Sequence, residues 1–360
     1  MLRLPFSNGR CDMPRGSNLE ISSAKDRRSF LKSMALVSLW PMTPSAVMSG
    51  TMSSAFAQAA WPTRNVTIIV PFPAGGQADL AARPVAIALE RIVGKPFIVD
   101  NRAGGAGGSV GNAQAARAQP DGYTLLMTLS SLAILPEADR LFARPVAYEI
   151  ADFVPVARVL ADPTLLAVPV SSPWKTLEDF VADAKKRPGE IPYGSSGPYG
   201  TLHLAMEMFA SSAGIKLLHV PFRGAGPALT GLLSGTVQAI ASAPGVLRQQ
   251  VDDGKLRVLA NWGAQRIPSF PEVPTFKERG FADVEFYIWA GLFAQKALPE
   301  SILMNLRDAM RDAVKAPEVL RTLEAAGSPI AYLDAPEFAT FVAADSARLI
   351  EAVKKIGRVG

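Results

Sequence analysis

Apolar segments rich in β-branched residues alternate with helical patterns from Trp61 to the end of the chain. The first predicted strand, over 66–70, enters a Pro/Gly turn that leads into a helix over 79–93. Further strands are predicted over 97–99, 123–128, 153–160, 165–168, 191–193, 217–220, 237–241 and 257–260. Further helices are predicted over 176–186, 202–213, 299–314 and 336–356. The alternation predicts an α/β fold built from two units, with a cleft between two lobes.

Composition and charge place the chain among folded proteins without a nucleic-acid-binding surface. It has 360 residues, of which 49% are hydrophobic and 19% charged, which is typical of a globular protein. The net charge of +5 belongs mostly to the first 57 residues, because the rest carries 30 basic and 29 acidic side chains. The only cysteine is Cys11, so disulfides and thiolate metal sites are not expected beyond this leader.

The first 57 residues predict an export signal that is removed. The sequence DRRSFLK at 26–32 is similar to a twin-arginine signal, and an interrupted apolar stretch and AFA at 55–57 follow it. The apolar stretch is too short and too broken for a span of about 20 residues. We therefore expect a periplasmic protein whose leader is cleaved near Ala57.

The motifs of common enzyme classes are incomplete. The dinucleotide pattern that begins at Gly105 has Val110 at its third glycine position, and no Walker lysine motif occurs. The elbow around Ser195 has Pro198 where the last glycine belongs. His203 and His219 have no metal-ligand spacing, and the apolar surroundings of His219 predict a core histidine. These features predict a binding protein with no catalytic residues, no metal and no cofactor.

Glycine and hydroxyl residues follow the predicted strands, where open α/β sheets bind ligands. A strand that runs through Gly75 and Gly76 into a helix presents backbone N–H groups at the positive end of the helix dipole. Asp79 either contacts a ligand or caps this helix, with Arg83 as an ion-pair partner, and we favour the cap slightly. The other loops carry Thr128, Ser130, Ser195, Ser196, Thr201, His203, Arg223 and Ser242.

The chain from Trp61 onward resembles the substrate-binding proteins of tripartite tricarboxylate transporters, the Bug family. The motifs that carry the resemblance occur in order over the chain. They are PFPAGGQAD at 71–79, NRAG at 101–104, PDGYTLL at 120–126, DFVPV at 152–156, YGS at 193–195, HL at 203–204, HVPFRGAGPA at 219–228, GKLR at 254–257, FPEVPT at 270–275 and WAGL at 289–292.

The resemblance implies a two-lobed periplasmic-binding-protein fold, type II-like, with a hinge. We expect one lobe over 61–160 with 288–360 and the other over 161–287. It implies a monomer that closes on a small organic carboxylate and delivers it to membrane permease subunits. Carried over to this sequence, the ligand-binding residues are Phe72, Ala74, Gly75, Gly76, Asp79, Thr128, Ser130, Ser195, Ser196, Thr201, His203, Arg223 and Ser242.

Two features depart from the family pattern, and two other functions stay open. Ser242 replaces an aspartate, which argues against an amino-acid ligand, and Tyr199 could stack on an aromatic acid. A sensory role, in which the receptor docks on a membrane kinase, is one alternative. A secreted hydrolase that uses Ser195 or His203 is the other.

Overall fold

The computed structural model describes residues 61–359, and these form one compact unit. The expected leader, with its arginine pair, Cys11 and the cleavage site near Ala57, lies outside the described residues. Within the described range no helix has the length and apolar character needed to cross a membrane.

The first of two sheets has a parallel part and an antiparallel part. Its strand order is β11-β4-β10-β3-β1-β2, with β1 parallel to β2 and β3, and β10 antiparallel to β3 and β4. The bounds are β1 (Val66–Val70), β2 (Phe97–Asn101), β3 (Thr124–Leu129), β4 (Phe153–Pro163), β10 (Tyr287–Gln295) and β11 (Leu333–Asp334).

The second sheet is formed by the middle of the chain. Its order is β7-β6-β8-β5-β9, with β6 parallel to β7 and β8, and β5 antiparallel to β8 and β9. The bounds are β5 (Leu165–Pro169), β6 (Pro192–Ser195), β7 (Leu218–Pro221), β8 (Ala239–Ser242) and β9 (Leu256–Asn261).

Helices cover both sheets. Their bounds are α1 (Gln77–Val93), α2 (Ser109–Ala116), α3 (Ser131–Leu141), α4 (Leu177–Lys186), α5 (Thr201–Ala213), α6 (Ala225–Leu233), α7 (Pro244–Asp252), α8 (Glu300–Ala313), α9 (Pro317–Ala325) and α10 (Ala335–Ile356). The predicted cap of α4 is confirmed, because Thr176 Oγ1 accepts a hydrogen bond from the N–H of Asp179 at 3.1 Å. On α5, the predicted apolar face is confirmed, since Leu202, Met206 and Phe209 are buried.

Two adjacent crossings join the sheets. Only Thr164 separates the end of β4 from the start of β5. The chain returns through residues 262–286, and the crossings are hydrogen-bonded to each other. Trp262 N donates to Thr164 O at 2.8 Å, and Thr164 N donates to Phe286 O at 3.3 Å. The short crossing at Thr164, hydrogen-bonded to the longer return segment, is a place about which two sheets can rotate as bodies.

Several elements differ from the prediction. Strand β10 was not predicted, because it lies between β3 and β4 and its apolar run has no period of two. The predicted glycine loop over 103–108 is wrong at its end, since Ala106–Gly108 form a single helical turn that leads into α2. Helices α3, α6, α7 and α9 were also missed, because each contains or begins with proline or glycine.

Candidate functional site

The loop between β1 and α1 is held by one buried carboxylate. Asp79 Oδ2 accepts hydrogen bonds from Gly75 N and Arg83 Nε, each at 2.9 Å, and Oδ1 accepts one from Asn101 Nδ2 at 2.9 Å. Burial alone would raise the pKa of Asp79, but these donors outweigh it and the pKa lies below its ordinary value. Asn101 Nδ2 also donates to Phe72 O at 3.0 Å. Asp79 therefore fixes the turn, as the sequence analysis slightly favoured, and both its oxygens are already used.

Beyond this turn, helix α1 begins without a side-chain cap in the described structure. Its N-cap is Gly76, in extended conformation, and the first N–H groups of an α-helix have no acceptor within the helix. The N–H of Gly75 is not among the free ones, because Asp79 accepts it. Gly76 and Gln77 line a cavity between the two sheets.

This cavity is small and mostly apolar, with about 20 Å³ open to the centre of a water-sized sphere. Four predicted residues lie in its wall, namely Phe72, Gly76, Ser196 and Thr201. The remaining lining residues were not predicted from the sequence, and they are Pro73, Gln77, Leu129, Leu202, Ala225, Ala243, Val246 and Ile288. None of the described residues in the wall carries a charged side chain.

The two lobes touch each other around the cavity. Ser130 Oγ donates a hydrogen bond to Thr201 Oγ1 at 3.3 Å across the interface. A Cβ built on Gly197 would lie 3.1 Å from Gly107 N, and one built on Gly224 would lie 2.8 Å from Pro73 Cδ. These close approaches describe a closed cleft with a small enclosed space.

Four helices of the described chain start at the cavity wall. Helices α1, α5, α6 and α7 have Gly76, Gly200, Gly224 and Ala243 as N-caps, and none of these supplies a side-chain hydrogen bond to its helix in the described structure. Each helix start carries about half a positive charge. The cavity therefore favours a small anion, although no cationic side chain lines it in the described residues.

Ser195 and His203 serve the framework behind the wall. Ser195 Oγ lies 2.6 Å from His219 Nε2 and also accepts a hydrogen bond from Gly197 N at 3.1 Å. His203 Nδ1 accepts from Tyr199 N at 2.9 Å, and the rings of His203 and His219 stack with centroids 4.0 Å apart. Burial lowers the pKa of His203 to about 3 and that of His219 to about 4. Both rings are neutral at physiological pH, and Ser195 is fully buried.

His219 differs from the core residue that the sequence predicts. It is only half-buried, because β7 is an edge strand, and its ring nitrogen is satisfied by Ser195. Tyr199 does not line the cavity either. Its hydroxyl donates to Gly357 O at 2.7 Å, so the ring is part of the packing against the C-terminus.

The remaining predicted residues lie at different depths. Thr128 Oγ1 donates to Asn112 Oδ1 at 3.0 Å, inside the first sheet's own layer. Ser242 is fully buried beside the lining residue Ala243, and its Oγ has no hydrogen-bond partner in the described structure. Ala74 is exposed on the loop. Arg223 is exposed and lines a separate concave region at residues 104–106 and 197–198.

Gln77 is the polar lining residue that the sequence analysis missed. Its Nε2 donates to the Asp162 carboxylate and to Ser328 Oγ at 3.3 Å, while its Oε1 is buried without a partner in the described structure. Asp162 lies at the end of β4, and burial raises its pKa to about 7. The position directly after Gly75 and Gly76 in the loop motif was the available signal.

The described residues contain no group of three or more histidine, cysteine, aspartate or glutamate side chains that could hold a metal ion. The serine–histidine contact near the cleft, between Ser195 and His219, involves a serine with no exposed surface.

The sequence matches a known family of receptors. The family model described as "Tripartite tricarboxylate transporter family receptor" matches residues 81–358. The chain is 36% identical over 281 residues to a protein from the tcbD-tcbE intergenic region of Pseudomonas sp. strain P51, covering 77% of this chain and 82% of the relative. It is 33% identical over 300 residues to BugT of Bordetella pertussis, covering 82% of this chain and 90% of BugT.

Solved structures share the two-lobed fold. The periplasmic binding protein BugD matches with a TM-score of 0.77 at 27% identity, over 82% of this chain and 99% of BugD. Rpa4515 of R. palustris, solved with adipate, matches with a TM-score of 0.76 at 30% identity, over 82% of this chain and 98% of Rpa4515. MatC of Rhodopseudomonas palustris, solved with malate, matches with a TM-score of 0.74 at 27% identity, over 81% of this chain and 100% of MatC. The α/β fold with two lobes is thereby confirmed.

Proposed function

Because this chain belongs to the family of tripartite tricarboxylate transporter receptors, we propose that it is a periplasmic solute receptor for a small organic carboxylate. It captures the acid in the closed cavity and delivers it to the permease subunits of its transporter. The observation that carries the proposal is the convergence of four helix starts on one cavity without a charged side chain in its described wall. The adipate and malate bound by two relatives support a carboxylate as the ligand.

The carboxylate would be held by the start of α1 on one side and by the lobe of α5 on the other. Gly76 and Gln77 supply backbone N–H groups, and the hydroxyls of Ser196 and Thr201 face them in the same wall. Hydrogen bonds to a charged acceptor are the stronger kind, which suits a site without an arginine. Phe72 closes the wall beside them.

Binding would proceed by closure of two lobes about the crossing at Thr164. One lobe comprises 61–160 with 288–360, and the other comprises 161–287. The strands divide between the two sheets close to these boundaries, since β4 of the first sheet extends to Pro163 and β10 begins at Tyr287. A ligand that contacts both lobes stabilises the closed form in proportion to its preference for that form.

The protein would be exported and would not catalyse a reaction. The leader with its arginine pair would direct it to the periplasm, with cleavage near Ala57. The burial of Ser195 argues against its use as a nucleophile. Monomeric protein would meet the permease through surfaces outside the cleft.

A pair of variants at Gln77 tests the role of the backbone. Gln77→Pro removes the side chain and the N–H, whereas the control Gln77→Ala removes the side chain alone. Proline suits this first helical position, and the extended Gly76 tolerates it. A panel of mono- and dicarboxylates is screened by thermal shift, and the tightest ligand is measured by calorimetry on both variants.

We expect Gln77→Pro to bind at least about tenfold more weakly than Gln77→Ala, since a hydrogen bond to a charged group contributes about 1.5–3 kcal/mol. Circular dichroism checks that both variants fold. Equal affinities of the two variants would contradict the assignment of the backbone donor, and a panel without any binder would contradict the proposed function.

A further inference from the structure

One residue of the cavity wall carries a buried acceptor that nothing in the described structure satisfies. Gln77 is 3% exposed and lines the cavity, and its Oε1 has no hydrogen-bond partner. Buried polar atoms in folded proteins are nearly always hydrogen-bonded, because an unpaired one loses its hydration without compensation. The oxygen therefore needs a partner that the described residues do not supply.

The orientation of the amide follows from its neighbours. Gln77 Nε2 donates both to the Asp162 carboxylate and to Ser328 Oγ. The Ser328 hydroxyl donates to the Asp162 carboxyl, so its oxygen accepts from Gln77, and the NH₂ group faces Ser328 and Asp162 while the carbonyl oxygen faces elsewhere. Oε1 can only accept a hydrogen bond, so its missing partner is a donor.

The residues of the cavity wall determine whether that donor can carry a charge. The described lining has no carboxylate that could pair with an ammonium group and no cation that could pair with a second carboxylate. Most of the wall is apolar, with Phe72, Leu129, Leu202, Val246 and Ile288 as its larger members. An unpaired charge buried against such a surface is expensive, whereas a neutral hydroxyl needs only one acceptor.

We propose that the ligand is a monocarboxylate with an apolar body that bears one neutral hydrogen-bond donor, such as a hydroxyl group, accepted by Gln77 Oε1. This inference rests on the proposed function, because the carboxylate is assigned to the helix starts. It separates this cavity from the dicarboxylate sites of the relatives solved with adipate and malate.

Two matched ligand sets test the proposal by calorimetry on the wild-type protein. The longer set is hexanoate, ω-hydroxyhexanoate, ω-aminohexanoate and adipate. The shorter set is butanoate, ω-hydroxybutanoate, ω-aminobutanoate and succinate. Within a set only the terminal group changes, so the length and the first carboxylate are constant. We expect the hydroxy acid to bind about tenfold more tightly than every other member in at least one set.

A variant then tests the residue. Gln77→Met keeps the length of the side chain but has no strong acceptor, so the ratio of affinities between the hydroxy acid and its parent acid should fall to about one. The control Val246→Ala instead reduces the apolar surface of the cavity wall. It should weaken both ligands and keep the ratio, since Val246 lines the cavity without polar atoms in its side chain.

Each outcome bears on one claim. A parent acid, amino acid or dicarboxylate that equals or exceeds the hydroxy acid in both sets overturns the inference and leaves the carboxylate receptor in place. A preference that survives Gln77→Met overturns the role of Gln77. If no acid of either set binds, the proposed function fails, and the inference fails with it. The wild-type series decides the ligand class even if Gln77→Met does not fold.

Discussion

The buried carboxylate of Asp162 should contribute less to the stability of the protein as the pH rises. Asp162 is 3% exposed, and burial raises its pKa from 3.8 to about 7, which outweighs the lowering effect of the Ser328 and Gln77 donors. The folded protein therefore holds this proton more tightly than the unfolded chain does. The stabilisation is complete below the unfolded pKa and is lost as the pH rises through the folded value.

The magnitude follows from the shift of about three pKa units. Each unit corresponds to about 1.4 kcal/mol, so the contribution of Asp162 to the free energy of unfolding should fall by up to about 4 kcal/mol between pH 4 and pH 7. Asp162→Asn removes the titration but keeps an acceptor for Gln77. Its free energy of unfolding should therefore lack this fall, and the variant should exceed the wild type most clearly at pH 8.

Urea denaturation of both proteins from pH 4 to pH 8 measures the difference. Other titrating groups contribute equally to the two proteins, so the difference between the curves belongs to Asp162. The reasoning is refuted if the two curves run parallel over this range, or if the wild type gains stability relative to Asp162→Asn as the pH rises.

Three further predictions concern closure, acid stability and the first loop. Gly245→Leu places a Cβ 2.7 Å from Leu80 Cδ2 across the cleft, so the new side chain should hold the lobes apart and weaken ligand binding. Small-angle scattering should show a larger radius of gyration, and an unchanged radius would contradict this prediction. Because burial lowers the pKa of His203 and His219, stability should be lost as the pH falls below about 6.5, and less so in His203→Gln, as thermal melts at several pH values would show. Asp79→Ala should cost about 1–3 kcal/mol and weaken binding, and a variant as stable as wild type in urea would disprove its bracing role.

The part of the fold that the sequence predicted consists of elements with a local signal. The strand over 66–70 is a run of β-branched residues that enters a Pro/Gly turn, and the apolar residues of α5 repeat at the helix spacing. Strand β10 has no alternating pattern, because it is central in its sheet. Proline within α3 and at the starts of α7 and α9 conceals helices that tertiary packing nevertheless forms.

The candidate site was predictable in its loops more than in its side chains. The Gly75-Gly76 turn identified the start of α1, because glycine pairs of this kind expose backbone donors. The sequence could not reveal that Ser195 turns toward His219, since that contact depends on how β6 and β7 pair. Gln77 was missed because its significance depends on Asp162, which is 85 residues away in the chain.

The central claim is that backbone donors at helix starts hold a carboxylate in a cavity whose described wall is uncharged. Isothermal titration of the tightest-binding acid against its own primary amide tests this directly, because the two differ only in the group that the helix starts should recognise. The account predicts that the acid binds and that the amide binds at least about tenfold more weakly. Equal affinities for acid and amide would contradict it.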